Sequence, residues 1–170
     1  DYGATLSWAQ LVNRYYNDTV TIDTADPGQT LAGGTQDDRI GATGGGSTIS
    51  GGRGNDTLAA SGGNNTYLFA LGDGTDHIGD TSPKVDGLGN PLPNTLKFGA
   101  GIGVNDIKLG LGSLRIQVGA DPADAIHIEN FNPDDALASP AIDRFEFADG
   151  TVLTYEQLLA RGFDIEGTGG

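Results

Sequence analysis

The chain has 170 residues, with 23 acidic against 9 basic side chains and a formal charge of -14. That balance excludes the basic patches needed for nucleic acid or anionic membrane surfaces. Cysteine is absent, which excludes disulfides, thiolate metal sites and a cysteine nucleophile.

Glycine supplies 29 residues, and 19 of the 23 acids are Asp, a bias toward turns and oxygen-rich loops rather than helix surfaces. With 36% hydrophobic residues and one Trp, a large apolar core is not expected, so cations are expected to help compact the chain. No apolar run approaches the ~18 residues of a membrane span, and Asp1-Tyr2-Gly3 does not read as the start of a signal peptide.

Residues 1–14 are predicted to end in a helix, with Ser7-Trp8-Ala9-Gln10 as a capping box before Leu11 and Val12. Residues 15–79 are rich in Gly, Asp, Asn and Thr with isolated apolar residues. Residues 80–94 carry Pro83, Pro91 and Pro93 and predict an ordered loop or linker. From Thr95 the apolar residues alternate at period two: Leu96 and Phe98, Ile107 and Leu109, Leu114 with Ile116 and Val118, Ile126 and Ile128, Phe145 and Phe147. This pattern predicts short strands, the last one before an Ala148-Asp149-Gly150 turn. A closing helix is expected over about 154–161, opened by the capping box Thr154-Tyr155-Glu156-Gln157.

Gly3–Arg14 aligns without a gap on Gly150–Arg161, sharing five of twelve residues. Either residues 1–14 resemble the end of a preceding unit, or two amphipathic helices are alike by chance.

The middle segment repeats every nine residues. Gly51-Gly52-Arg53-Gly54-Asn55-Asp56-Thr57-Leu58-Ala59 fits G-G-x-G-x-D-x-U-x at every fixed position, U being a large apolar residue. The same frame puts apolar residues at Ile22, Leu31, Ile40, Ile49, Leu58 and Tyr67, and after a two-residue slip at Ile78. Six residues form a turn in which Gly supplies unusual backbone angles, and three form a strand with U pointing inward. Successive turns fall on opposite sides, so eighteen residues make one coil and alternate repeats stack. One side collects Asp38, Asp56 and Asp76 at the sixth position; the other collects Gln29, Ser47 and Asn65.

Stacked carbonyls and carboxylates enclose an oxygen-only pocket suited to Ca2+. Two sites are expected, between the turns of Asp38 and Asp56 and between those of Asp56 and Asp76. The candidate ligand-bearing residues are Gly33, Thr35 and Asp38, then Gly51, Gly52, Arg53, Gly54 and Asp56, then Gly72, Gly74 and Asp76. Gln36 replaces the fourth-position glycine of the first turn. The edge of Ser47 and Asn65 is expected to hold no metal.

These nonapeptides resemble the repeats-in-toxin (RTX) family, whose repeats form calcium-bound parallel β-rolls. Tyr67-Leu68-Phe69 through Gly72-Asp73-Gly74-Thr75-Asp76-His77-Ile78 resembles the end of such a roll. Leu96-Lys97-Phe98-Gly99, Gly101-Ile102, Asp106-Ile107 and Phe147-Ala148-Asp149-Gly150-Thr151 resemble the haemolysin-type calcium-binding-related domain. The resemblance implies an all-β fold, with a short parallel roll over 15–79, a loop over 80–94, and a β-rich capping module with a closing helix over 95–170. It also implies type I secretion and folding outside the cell, where calcium is abundant.

Other chemistry is thin. His77 and His127 read as outward-facing surface residues. No serine sits in a G-x-S-x-G elbow. Asp26-Pro27 and Asp121-Pro122 read as turns rather than self-cleaving bonds. Thr30, Thr48 and Thr66 form a column at eighteen-residue spacing, too few rungs for an ice-binding face. The expectation is a non-enzymatic, calcium-folded extracellular module of a repetitive RTX protein of adhesin or fibre type, with neighbouring copies as partners. The alternative is the non-catalytic tail of a secreted RTX enzyme or toxin.

Overall fold

Each nonapeptide yields one short strand, because its turn uses six residues and leaves three or four for extended chain. The computed structural model describes residues 18–83, 85–110, 113–137 and 140–164. The expected helix over 1–14 and the tail after 164 lie outside the described residues.

The roll strands are β1 (Thr21–Thr24), β2 (Thr30–Ala32), β3 (Arg39–Ala42), β4 (Thr48–Ser50), β5 (Thr57–Ala60), β6 (Thr66–Phe69) and β7 (Thr75–Asp80). They are followed by β8 (Thr95–Phe98), β9 (Ile107–Gly110), β10 (Arg115–Val118), β11 (Ala125–Ile128), β12 (Arg144–Glu146), β13 (Val152–Thr154) and the helix α1 (Tyr155–Leu159). The fold is all-β with one short closing helix. One sheet has the order β1-β3-β5-β7-β11-β10-β9 and the other β13-β12-β8-β6-β4-β2.

Alternate repeats pair in parallel, as the eighteen-residue coil requires. In the first sheet Ile22 stands beside Ile40, Ile40 beside Leu58, Leu58 beside Ile78 and Ile78 beside Ile128. In the second the column runs Leu31, Ile49, Tyr67, Leu96, Phe145. The Leu58–Ile78 pairing is where the two-residue slip is absorbed. From Ile40 and Ile49 onward these side chains are buried, each contributing roughly 1.5–3 kcal/mol. Ile22 and Leu31 are only partly buried, so the first coil is held less firmly.

The two sheets run without a break into the C-terminal region. β8 stacks on β6, β11 on β7 and β12 on β8, all parallel. Antiparallel neighbours then end each sheet, β10 and β9 in one and β13 in the other. The strand β13 was not anticipated from the sequence. It is three residues long, and it pairs across the turn in which Gly150 takes φ 88°. The capping box of α1 forms as expected: Gln157 N donates to Thr154 Oγ1 at 3.2 Å, and Thr154 N donates to Gln157 Oε1 at 2.9 Å. Tyr155 and Leu158 of the helix are buried, and the Tyr155 hydroxyl donates to Ala136 O at 2.8 Å. The Pro-containing connection carries one isolated bridge between Val85 and Pro91.

Candidate metal centre

The turns before β3, β5 and β7 stack along one edge of the roll and bring Asp38, Asp56 and Asp76 together. All three carboxylates are buried. They form a ladder in which each residue's amide donates to the next carboxylate. Val20 N donates to Asp38 Oδ1 at 2.6 Å, Asp38 N to Asp56 Oδ1 at 2.7 Å, and Asp56 N to Asp76 Oδ1 at 3.1 Å. Asp38 uses its second oxygen to accept from Gly34 N at 2.5 Å. Asp56 Oδ2, by contrast, is buried with no hydrogen-bond partner.

Glycine is needed here for space as well as for angle. A Cβ on Gly51 would run into Asp56 Oδ2, and one on Gly33 into Gly51 O and Asp38 Oδ2. A Cβ on Gly52 would meet Gly34 O, one on Gly54 would meet Gln36 O at 2.5 Å, and one on Gly74 would meet Gly54 O. Backbone carbonyls therefore crowd the space a side chain would fill. Gly52 and Gly54 take φ 92° and 129°, and the third turn repeats this with Gly72 at 85° and Gly74 at 99°. Gln36 stands where the other two turns carry Gly54 and Gly74, so the first turn differs from them in sequence. Thr35 is half-buried within that first turn, and Arg53 is exposed, its amide donating to Gly34 O at 3.0 Å.

Burial and the adjacent carboxylates raise two acids on this edge, Asp56 and Asp76. Asp56 is pushed up to about 6, mainly by burial, with the Asp38 amide opposing and the charges of Asp38, Asp37 and Asp73 adding. Asp76 is pushed up to about 8 by burial and by Asp56 and Asp73, against the Asp56 amide. A buried oxygen without a proton donor, carboxylates that resist ionising together and a rim of carbonyls are what a hard cation corrects. The residues present therefore fit Ca2+. Ca2+ on this edge would be held by Asp56 at the middle rung, with Asp38 and Asp76 as outer carboxylates and the glycine-turn carbonyls supplying further oxygens. Among the described residues no three His, Cys, Asp or Glu side chains converge on one point, so carbonyls must supply most of the oxygen shell.

The opposite edge uses the same ladder with Asn acceptors, ending on the carboxylate of Asp143. Ser47 N donates to Asn65 Oδ1 at 3.1 Å, Asn65 N to Asn94 Oδ1 at 3.1 Å, and Asn94 N to Asp143 Oδ2 at 2.8 Å. The amide nitrogen of Asn65 donates to Ser61 O and to Asp80 Oδ2, at 3.3 and 3.2 Å. Asp80 Oδ2 also accepts from the buried Tyr67 hydroxyl at 2.8 Å, and burial with this acid holds the phenol above its usual range.

Sequence reasoning missed Asn94, Asp143 and Asp80, because the 80–94 insertion breaks the nine-residue frame. It also missed Asp124, which accepts from Gly72 N at 2.8 Å and Gly74 N at 3.2 Å and so closes the third turn. The acidic column ends there, since β11 places Ile126 beside Asp76.

No curated protein matches the chain. Residues 114–157 match the family model of the haemolysin-type calcium binding protein related domain. These residues span β10–β13 and enter α1, the part of the molecule that ends both sheets. Residues 114–157 are thus similar to a haemolysin-type calcium binding protein related domain, and the parallel two-sheet fold ahead of them is consistent with an RTX β-roll.

Proposed function

We propose that this chain is a calcium-folded structural module of a large, repetitive, secreted RTX protein of the adhesin or fibre type. Calcium acts as a folding cofactor in the acidic edge and rigidifies the roll. The observation that carries this reading is Asp56 Oδ2, buried and unpartnered between two glycine turns. A metal-free roll leaves that oxygen and the raised Asp76 uncompensated, whereas a cation satisfies them together.

Head-to-tail stacking with neighbouring copies is supported by the far end of the roll. Among the described residues β1 has a strand partner on one side only, and Ile22 is part-buried there. Such an end offers backbone hydrogen-bonding groups and apolar surface to another rung. The reading is of a structural, non-catalytic module in which calcium serves folding.

Circular dichroism and small-angle scattering with chelator and with millimolar calcium test the reading. A β spectrum markedly more compact and heat-stable with calcium than in chelator, with particle length growing as concentration rises, is the expected result. A spectrum and dimensions indifferent to calcium would refute it.

A further inference from the structure

The last turn of the acidic edge, residues 72–76, is held from outside the roll. Asp124, in the loop between β10 and β11, gives one carboxylate oxygen to each of two amides. Gly72 N donates to Asp124 Oδ2 at 2.8 Å, and Gly74 N donates to Oδ1 at 3.2 Å. The residues beside Asp124 add two more bonds, from Thr75 Oγ1 to Ala123 O at 2.7 Å and from Ala125 N to Gly74 O at 2.9 Å. Asp124 is itself buried, and its carbonyl accepts from Val118 N of β10 at 2.8 Å.

Two consequences follow for the turn. In the first turn the amide four residues before the aspartate, Gly34 N, is taken by Asp38 itself. In the third, the equivalent Gly72 N goes to Asp124, which leaves Asp76 out of that bond. A planar trans peptide also points its carbonyl away from its N–H, and no described peptide bond is cis. With Gly74 N turned to Asp124, Asp73 O faces back toward the preceding rung, where it accepts from Gly54 N at 2.8 Å. The bond from Gly72 N turns Leu71 O the same way.

We propose that Asp124 is the positioning residue for calcium between the turns of Asp56 and Asp76. It fixes the turn that supplies half of that interval, and so ties the ion to the docking of the β10–β11 loop on the roll. This role rests on the calcium reading of the acidic edge. The coupling is reciprocal, so calcium tightens the loop on the roll as much as the loop tightens calcium. The side chain of Asp124 bonds to the third turn and not to those of Asp38 and Asp56, so the first interval is largely independent of it.

Calorimetric titration of the full chain with CaCl2 tests the role, using Asp124→Ala, Asp124→Asn and a control in the same loop, Asp121→Asn. The Asp121 carboxylate accepts from Ala123 N at 2.9 Å, within the loop. The parent should bind two ions. Asp124→Ala should weaken one by about 10–100-fold, the scale of losing a group that orients metal ligands, and the other much less. Asp124→Asn keeps the shape and one acceptor oxygen, so it tests the role even where the Ala variant does not fold; its loss should be intermediate. Asp121→Asn should match the parent.

Equal weakening of both ions in the Asp124 variants, no weakening, or the same loss in Asp121→Asn overturns the role of Asp124 alone. A parent that binds no calcium overturns the calcium reading, and this role with it. In the parent, amide hydrogen exchange at Gly72, Gly74 and Ala125 should slow over the calcium range that fills the second interval. Protection there that is indifferent to calcium overturns the coupling.

Discussion

The two edges of the roll obey one hydrogen-bonding rule with different chemistry. On each, the amide of one rung donates to the side-chain oxygen of the next, at eighteen- to twenty-nine-residue spacing in the roll. Where the acceptor is Asn, the side chain also has a donor, and Asn65 uses it on Ser61 O and Asp80. Where the acceptor is Asp, the second oxygen needs something positive, and at Asp56 no protein group provides it. The swap of NH2 for O therefore separates an edge whose Asn65 amide finds protein acceptors from one that calls for a cation.

Converting one edge into the other is the largest test of this difference. Asp56→Ala should abolish calcium-dependent folding, with smaller losses for Asp38→Ala and Asp76→Ala, because Asp56 is the middle rung, bonded to the rung on each side. Asp56→Asn should separate the two roles. Its Oδ1 still accepts from Asp38 N, and its amide faces a carbonyl-rich turn. In chelator it should therefore stabilise the fold by about 1–3 kcal/mol, the cost of an unsatisfied buried polar group, while the calcium response is lost. Thermal melts with and without calcium read both effects. A metal-free variant no more stable than the parent would break the comparison.

The reverse exchange, Asn65→Asp, should destabilise by about 1–3 kcal/mol, since it removes the donor to Asp80 and sets two carboxylates together. Urea melts at fixed calcium measure it.

The acidity of the first edge gives two opposite pH slopes. Asp56 at about 6 and Asp76 at about 8 lie above the unfolded value of about 3.9, so the metal-free folded state binds more protons than the unfolded one. Their favourable contribution is fully present below about pH 4 and is lost as pH rises through 6 toward 8. Calcium requires the ionised forms, so its affinity should instead strengthen across that range. Melting in chelator from pH 4 to 8, beside calcium titrations at the same values, should give slopes of opposite sign. Parallel slopes would mean these acids do not hold the ion.

The smallest effect is expected at Ser47→Ala. Its hydroxyl is buried without a partner, and the ladder there runs through its amide. Stability should stay level or rise by up to about 1 kcal/mol, with the calcium response unchanged.

What could be read from the sequence follows from how local each decision is. The inward columns and the acidic column depend on one residue per repeat at fixed spacing, so Ile40, Leu58, Asp38 and Asp56 are visible as a pattern. The neutral edge is half visible: Ser47 and Asn65 lie in frame, but Asn94 and Asp143 reach it across long insertions. Asp80 meets Tyr67 only because the two sheets face each other, and Asp124 reaches Gly72 from 52 residues away. The strand β13 is too short to carry a periodic signal. No spacing could show that Asp56 keeps one oxygen bare while Asp38 fills both, since that depends on Gly34 N being close to one and not the other.

The most direct test of the central claim is a crystal structure of the calcium-loaded chain, with ions located by anomalous scattering. The account predicts ions between the turns of Asp38 and Asp56 and of Asp56 and Asp76, with Asp56 touching both and none between Ser47 and Asn65. Ions on the Ser47–Asn65 edge, or an acidic edge without any, would contradict it.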